Sequence, residues 1–184
     1  MAAGVPGRSS TADADPEAVA RTLCLRWLAE RAYTRGELGA KLAKKGVPGE
    51  SADAVLDRFV EVGLVDDAAF AAAWVQSRHT GRGLARSALR QELRRRGVDE
   101  RTIESAVEEV SADDEAGRAR ALVARKIGAT RGLDPAARTR RLAGLLARKG
   151  YPPGVAYQVV REAIAAEGID PALAGCDIAD AADD

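Results

Sequence analysis

A chain of 184 residues, 46% of them apolar, is long enough to bury a real core. With aromatics at only 4%, that core is expected to be aliphatic and helical rather than sheet-based. The 28 basic and 28 acidic residues cancel, which excludes a uniformly cationic protein, and no run nears the eighteen or so apolar residues that cross a bilayer.

The first residues, Met1 to Ala14, lack the apolar stretch of a signal peptide and read as disordered. Asp15-Pro16 has the form of an N-cap and first helical position. Behind it Val19, Leu23 and Trp27 line one helical face, with Ala20, Cys24 and Leu28 beside it. Thr34-Arg-Gly-Glu37 starts a second helix carrying Leu38 and Leu42 and ending at Gly46-Val47. Val55, Phe59 and Val62 mark a third.

After the short link Gly63-Leu64-Val65 the pattern begins again. Asp66 and Asp67 cap a helix with Phe70, Ala73, Trp74 and Ser77 on its apolar side. Gly81-Arg82-Gly83 reads as a flexible loop before a helix over Leu84–Arg96 that carries Leu89 and Leu93 and stops at Gly97-Val98. Ile103, Val107 and Val110 follow on the next helix. A third round opens on the capping pattern Ser111 to Asp114. It continues with Ala119, Leu122, Val123 and Ile127, restarts at Asp134-Pro135, and carries Leu142, Leu146, Gly150 and Tyr151 before Val155, Val159 and Ile164.

In each round two Leu four residues apart share one helix face, bases occupy the last turn, and Gly supplies the left-handed stop. One such segment is ordinary helix chemistry. Three, with glycines 51 and 53 residues apart, define a repeat. The expected fold is all-α: three tandem, helix-turn-helix-like three-helix repeats at 16–63, 64–110 and 111–166, forming an elongated, curved body. Residues 1–15 and the acidic tail 167–184 are expected to be disordered.

Charge is segregated along the chain. Seven Arg and one acid lie between Arg78 and Arg96; ten bases and one acid lie between Arg118 and Lys149. Arg86, Arg90 and Arg94 stand four apart, with no acid four residues away to pair with Arg86 or Arg90, and read as an unpaired cationic stripe suited to phosphates or an acidic groove. The candidate binding residues are Arg78, Arg82, Arg86, Arg90, Arg94, Arg95 and Arg96, supported by Arg140, Arg141, Arg148 and Lys149. Arg138 belongs to the same basic run.

Nothing points to catalysis. The only histidine, His79, lacks a nucleophile or orienting carboxylate nearby and reads as a polar contact. Trp27 and Trp74 read as core rather than base-stacking residues. Gly81-Arg82-Gly83 lacks a phosphate-loop ending. Cys24 and Cys176 form neither a zinc pattern nor a disulfide framework, as expected for a cytoplasmic protein. No enzyme activity, cofactor or metal is expected. From the residues alone, a sequence-specific helix-turn-helix DNA-binding protein and a helical scaffold for another acidic partner remain alternatives.

Gly63-Leu-Val-Asp-Asp-Ala-Ala-Phe70, followed by Trp74, Ser77-Arg78, Gly83 and Leu89-Arg-Gln-Glu-Leu93-Arg-Arg-Arg-Gly97-Val98, resembles the signature of RecX regulatory proteins, in an Ala- and Arg-rich style similar to actinobacterial members. The likeness is densest over 63–98 and extends loosely over 16–166. It departs at Val47–Val55, which has extra residues, and in the acidic tail. The resemblance implies a curved array of three three-helix repeats. It implies a monomer that binds the RecA–single-stranded-DNA filament, with weak non-specific DNA binding besides. It further implies inhibition of RecA's ATPase, strand exchange and co-protease activities, and hence a role in recombination, DNA repair and the SOS response.

Overall fold

The computed structural model describes residues 15–168; the expectations for Met1–Ala14 and for most of the acidic tail lie outside the described residues. Within them the chain is all-helical. The first triplet is α1 (Pro16–Glu30), α2 (Arg35–Lys44) and α3 (Gly49–Glu61). The second is α4 (Asp67–Arg82), α5 (Arg86–Arg95) and α6 (Glu100–Glu108). The third is α7 (Ala112–Ile127), α8 (Pro135–Ala147) and α9 (Pro153–Ala165), with a 3-10 turn, Gly128–Thr130, after α7. By packing, the described residues form two compact units, 15–70 with Arg96–Val98 and Ala71–Arg95 with 99–168.

Local chemistry places most helix ends. Asp15, Thr34, Asp99, Ser111 and Asp134 each accept a hydrogen bond from a first-turn amide through the side chain. Gly46, Gly97 and Gly150, which end the middle helix of each triplet, have φ of 76°, 75° and 86°, the left-handed conformation that only glycine adopts without strain. The six repeat leucines (38, 42, 89, 93, 142 and 146) are all at most 1% exposed. Burying each stabilises the fold by about 2 kcal/mol.

In the first unit Leu38 and Leu42 pack with Ala20, Cys24, Trp27, Val55, Leu56 and Phe59. The face of α1 differs from the expected one: Ala20, Cys24 and Trp27 point inward, and Val19 is 38% exposed. Val62, expected in the core of the third helix, is half exposed because α3 has already ended at Glu61.

In the second unit, α4 buries Ala71, Val75 and His79 rather than Ala73 and Ser77, which are exposed. His79 is indeed a structural polar contact, its Nδ1 lying 2.9 Å from the Leu84 carbonyl oxygen. Gly81 and Arg82 form the last turn of α4 rather than a flexible loop. Helix α5 begins at Arg86, two residues later than expected, because Ala85 is drawn into a turn whose amide donates to the Lys149 carbonyl. The α7–α9 core gathers Ala85, Ala119, Val123, Leu142, Leu146, Tyr151, Val159, Val160 and Ile164.

One joint recurs in both units. In the first, the Thr34 hydroxyl donates to the Arg96 carbonyl, and Gly36 lies so close to Gly97 that a Cβ on Gly36 would sit 2.8 Å from its Cα. In the second, the Ala85 amide and the Ser87 hydroxyl donate to the carbonyls of Lys149 and Gly150, 2.9 and 2.6 Å away. Each time, the amino end of a middle helix meets the glycine turn that closes the next one. Donors at a positive helix end thereby meet carbonyls at a negative one.

A carboxylate completes each joint. The Arg35 amide, first in α2, donates to Asp67 Oδ1 at 2.8 Å, and the Arg86 amide, first in α5, donates to Glu115 Oε1 at 2.7 Å. Both acids belong to the first turn of the following triplet.

Candidate functional site

The arginines that read as an unpaired stripe are mostly paired, and their partners come from other helices. Arg90 holds Glu104 with two hydrogen bonds of 2.7 and 2.9 Å, and Arg94 holds Glu100 in the same two-pronged way. Glu100 and Glu104 are four apart on α6, as Arg90 and Arg94 are on α5, so the antiparallel pair zips together. Arg86 Nε lies 3.2 Å from Glu115 Oε2, and Arg96 pairs with Glu37. Arg78 stacks 4.0 Å over the Trp74 ring, with its Nε 3.7 Å from Glu92. Trp74 in turn donates to Glu92 at 2.8 Å, which leaves that indole half-buried rather than in the core. The reading of this stripe as unpaired is therefore corrected.

Arg138 does not extend the basic face either. It is 2% exposed, donates to Thr130 Oγ1 at 3.1 Å, and pairs with Glu167, which Arg131 also holds. Glu167, expected to open the disordered tail, thus closes the third triplet.

These pairs leave an electrostatic signature. Hydrogen bonds from Arg94, Arg90 and Arg138 hold the Glu100, Glu104 and Glu167 carboxyls below their ordinary range, while those glutamates raise the Arg90 and Arg94 guanidinium values. Acids depressed on folding stabilise the native state above their unfolded pKa, about 4.3, and that stability is lost as pH falls through the folded values. Melting temperature is therefore expected to drop below about pH 5, and Glu100→Gln with Glu104→Gln should flatten that acid limb. An unchanged limb in the double variant would refute the α5–α6 zipper as its source. The Tyr151 hydroxyl, buried and near Glu115, is pushed up to about 12 and donates to the Gly83 carbonyl at 3.1 Å.

The remaining predicted cations differ. Arg82, Arg95, Arg140, Arg141 and Arg148 are exposed, and among the described residues none of them, nor Lys149, forms an ion pair with a carboxylate. Of these, the fold brings Arg82 and Lys149 together: Lys149 Nζ donates to the Arg82 carbonyl at 2.9 Å. They share a cleft of about 370 Å³ with three cations that sequence reading counted but did not select, Arg118, Arg125 and Lys126 on α7. Their spacing of seven and eight residues was the available signal, since it places all three on one helix face.

Three family models match in order along these triplets: the first three-helix domain of RecX over residues 20–59, the second over 66–107 and the third over 113–160. The chain belongs to the RecX family. It is similar to the regulatory protein RecX of Thermobifida fusca, 53% identical over 167 residues, which covers 91% of this chain and 90% of that protein. With the regulatory protein RecX of Streptomyces coelicolor it shares 54% over 156 residues, 85% and 83% of the two chains. A crystal structure of regulatory protein RecX superposes with a TM-score of 0.72 at 25% identity, covering 81% of this chain and 73% of that one. RecX from Lactobacillus salivarius gives 0.73 at 15% identity, covering 81% and 97%, which is a likeness of fold alone. RecX proteins are regulatory, and this chain carries their all-helical fold of three tandem three-helix domains. Among its described residues no helix is long and apolar enough to cross a membrane.

Proposed function

We propose that this chain is a cytoplasmic negative regulator of RecA that binds the RecA–single-stranded-DNA filament as a monomer and inhibits its ATPase, strand exchange and co-protease activities. Membership of a regulatory family supports the role. Its electrostatic part rests on one observation: the fold neutralises one set of arginines and leaves another open. Arg82, Arg95, Arg140, Arg141, Arg148 and Lys149 keep charge that an external polyanion can meet. Arg78, Arg86, Arg90, Arg94 and Arg96, also candidates from the sequence, serve chiefly to fix helices, because their fields are compensated locally. The paired arginines also disfavour a sequence-specific DNA reader. A recognition helix presents free Arg forks to base edges, and those of Arg90 and Arg94 are occupied.

The test is RecA ATPase on single-stranded DNA, titrated with this protein across salt. Inhibition is expected below stoichiometric amounts and should weaken as salt rises. Arg140→Glu with Arg141→Glu should raise the half-inhibitory concentration by about tenfold, the effect of roughly 1.4 kcal/mol, with helical content unchanged. Undiminished inhibition by that variant would overturn the assignment.

A further inference from the structure

The cleft at the carboxyl end of α4 combines features that structural packing does not require. Five cations line it, Arg82, Arg118, Arg125, Lys126 and Lys149, and no acid does. In a fold that meets Arg86, Arg90, Arg94, Arg96 and Arg138 with glutamates, this is a local excess of like charge. Like charges repel and destabilise a folded protein unless something outside compensates them. The lining also includes apolar Ala121, Leu122 and Leu145.

The cleft depends on a close approach. Gly83 has φ of 63°, and a Cβ there would fall 2.9 Å from Leu122 Cδ1. Glycine takes up this left-handed turn against α7 without backbone strain, and the Tyr151 hydroxyl on the Gly83 carbonyl fixes it there. The turn carries Arg82 into the cleft beside the α7 cations. Three guanidinium forks and two ammonium groups offer many donors to one small volume, which suits the several oxygens of phosphate better than the two of a carboxylate.

From this geometry we infer that the cleft is a phosphate-binding site, its cations gripping phosphate oxygens and its apolar residues resting against the attached sugar or base. The phosphate comes from a nucleic-acid strand or from a free nucleotide. The inference deepens the filament-docking reading and rests on it only for the setting in which phosphate is met.

The experiment is fluorescence anisotropy of a labelled oligothymidine with the full chain across salt, with ATP as competitor. Arg125→Glu with Lys126→Glu, both exposed, should weaken strand binding more than tenfold and lower the salt slope by about 1.4. Gly81→Glu, on a position with open space around it, places a carboxylate in the cleft by another route and should weaken binding as well. Arg21→Glu with Arg26→Glu, exposed on α1, is the charge-matched control and should keep the parental affinity. Displacement by millimolar ATP would assign the site to free nucleotide; displacement by unlabelled strand alone would assign it to the backbone. Unchanged binding in both cleft variants would overturn the site. RecA inhibition by the same variants separates the two readings: inhibition kept while phosphate binding is lost refutes docking through this cleft but leaves the phosphate site standing.

Discussion

Gly150→Ala is expected to destabilise the protein by about 3 kcal/mol although it adds one methyl group. Two costs combine. The residue has φ of 86°, and the new Cβ would meet the Ala88 Cβ at 2.7 Å and the Ala88 backbone nitrogen at 2.8 Å. Backbone cannot rotate aside as a side chain can, so the joint between the α8 turn and the start of α5 would have to open. Gly46→Ala isolates the conformational cost, because its φ is 76° with nothing within 4 Å; about 1 kcal/mol is expected there. Urea unfolding followed by circular dichroism measures both. Equal losses at the two positions would show that the joint contributes nothing.

Glu115→Ala should cost a similar amount, about 3 kcal/mol. Glu115 is 5% exposed and accepts from both the amide and the guanidinium of Arg86. Its removal leaves the first amide of α5 without that acceptor, and Ala85, the residue before the helix, has no polar side chain to replace it. Glu115→Gln keeps an oxygen for the amide and loses the ion pair, so about half the loss is expected. Hydrogen exchange at the Arg86 amide is the specific readout. Protection there that survives Glu115→Ala would mean that another group caps the helix.

The repeat was legible in the sequence because its signals are local. Leucines four apart and a glycine after the last turn act within a few residues, and the structure buries every one of those leucines and gives the three glycines positive φ. The state of the arginines was not legible in this way. Arg90 meets Glu104 across 14 residues and Arg86 meets Glu115 across 29, so a search at helical spacing misses both. The apolar face of α4 was misjudged for a related reason. Alanine says little about which side is inward, and the large residues that set the expectation, Phe70 and Trp74, lie half-buried beneath the guanidiniums of Arg96 and Arg78. The cleft, too, is assembled from residues as far apart as Thr80 and Lys149, and only the folded chain collects them.

Capping of α2 and α5 by an acid from the triplet after each bears on how the polypeptide matures on the ribosome. Arg35 leaves the exit tunnel 32 residues ahead of Asp67, and Arg86 leaves 29 ahead of Glu115. Through that interval α5 is a helix lacking its closing acceptor, whereas α8 brings Asp134 with it. Synthesis therefore finishes α5 retroactively, and a nascent chain stalled short of residue 115 would hold a second triplet that is fully translated yet still frayed at its centre.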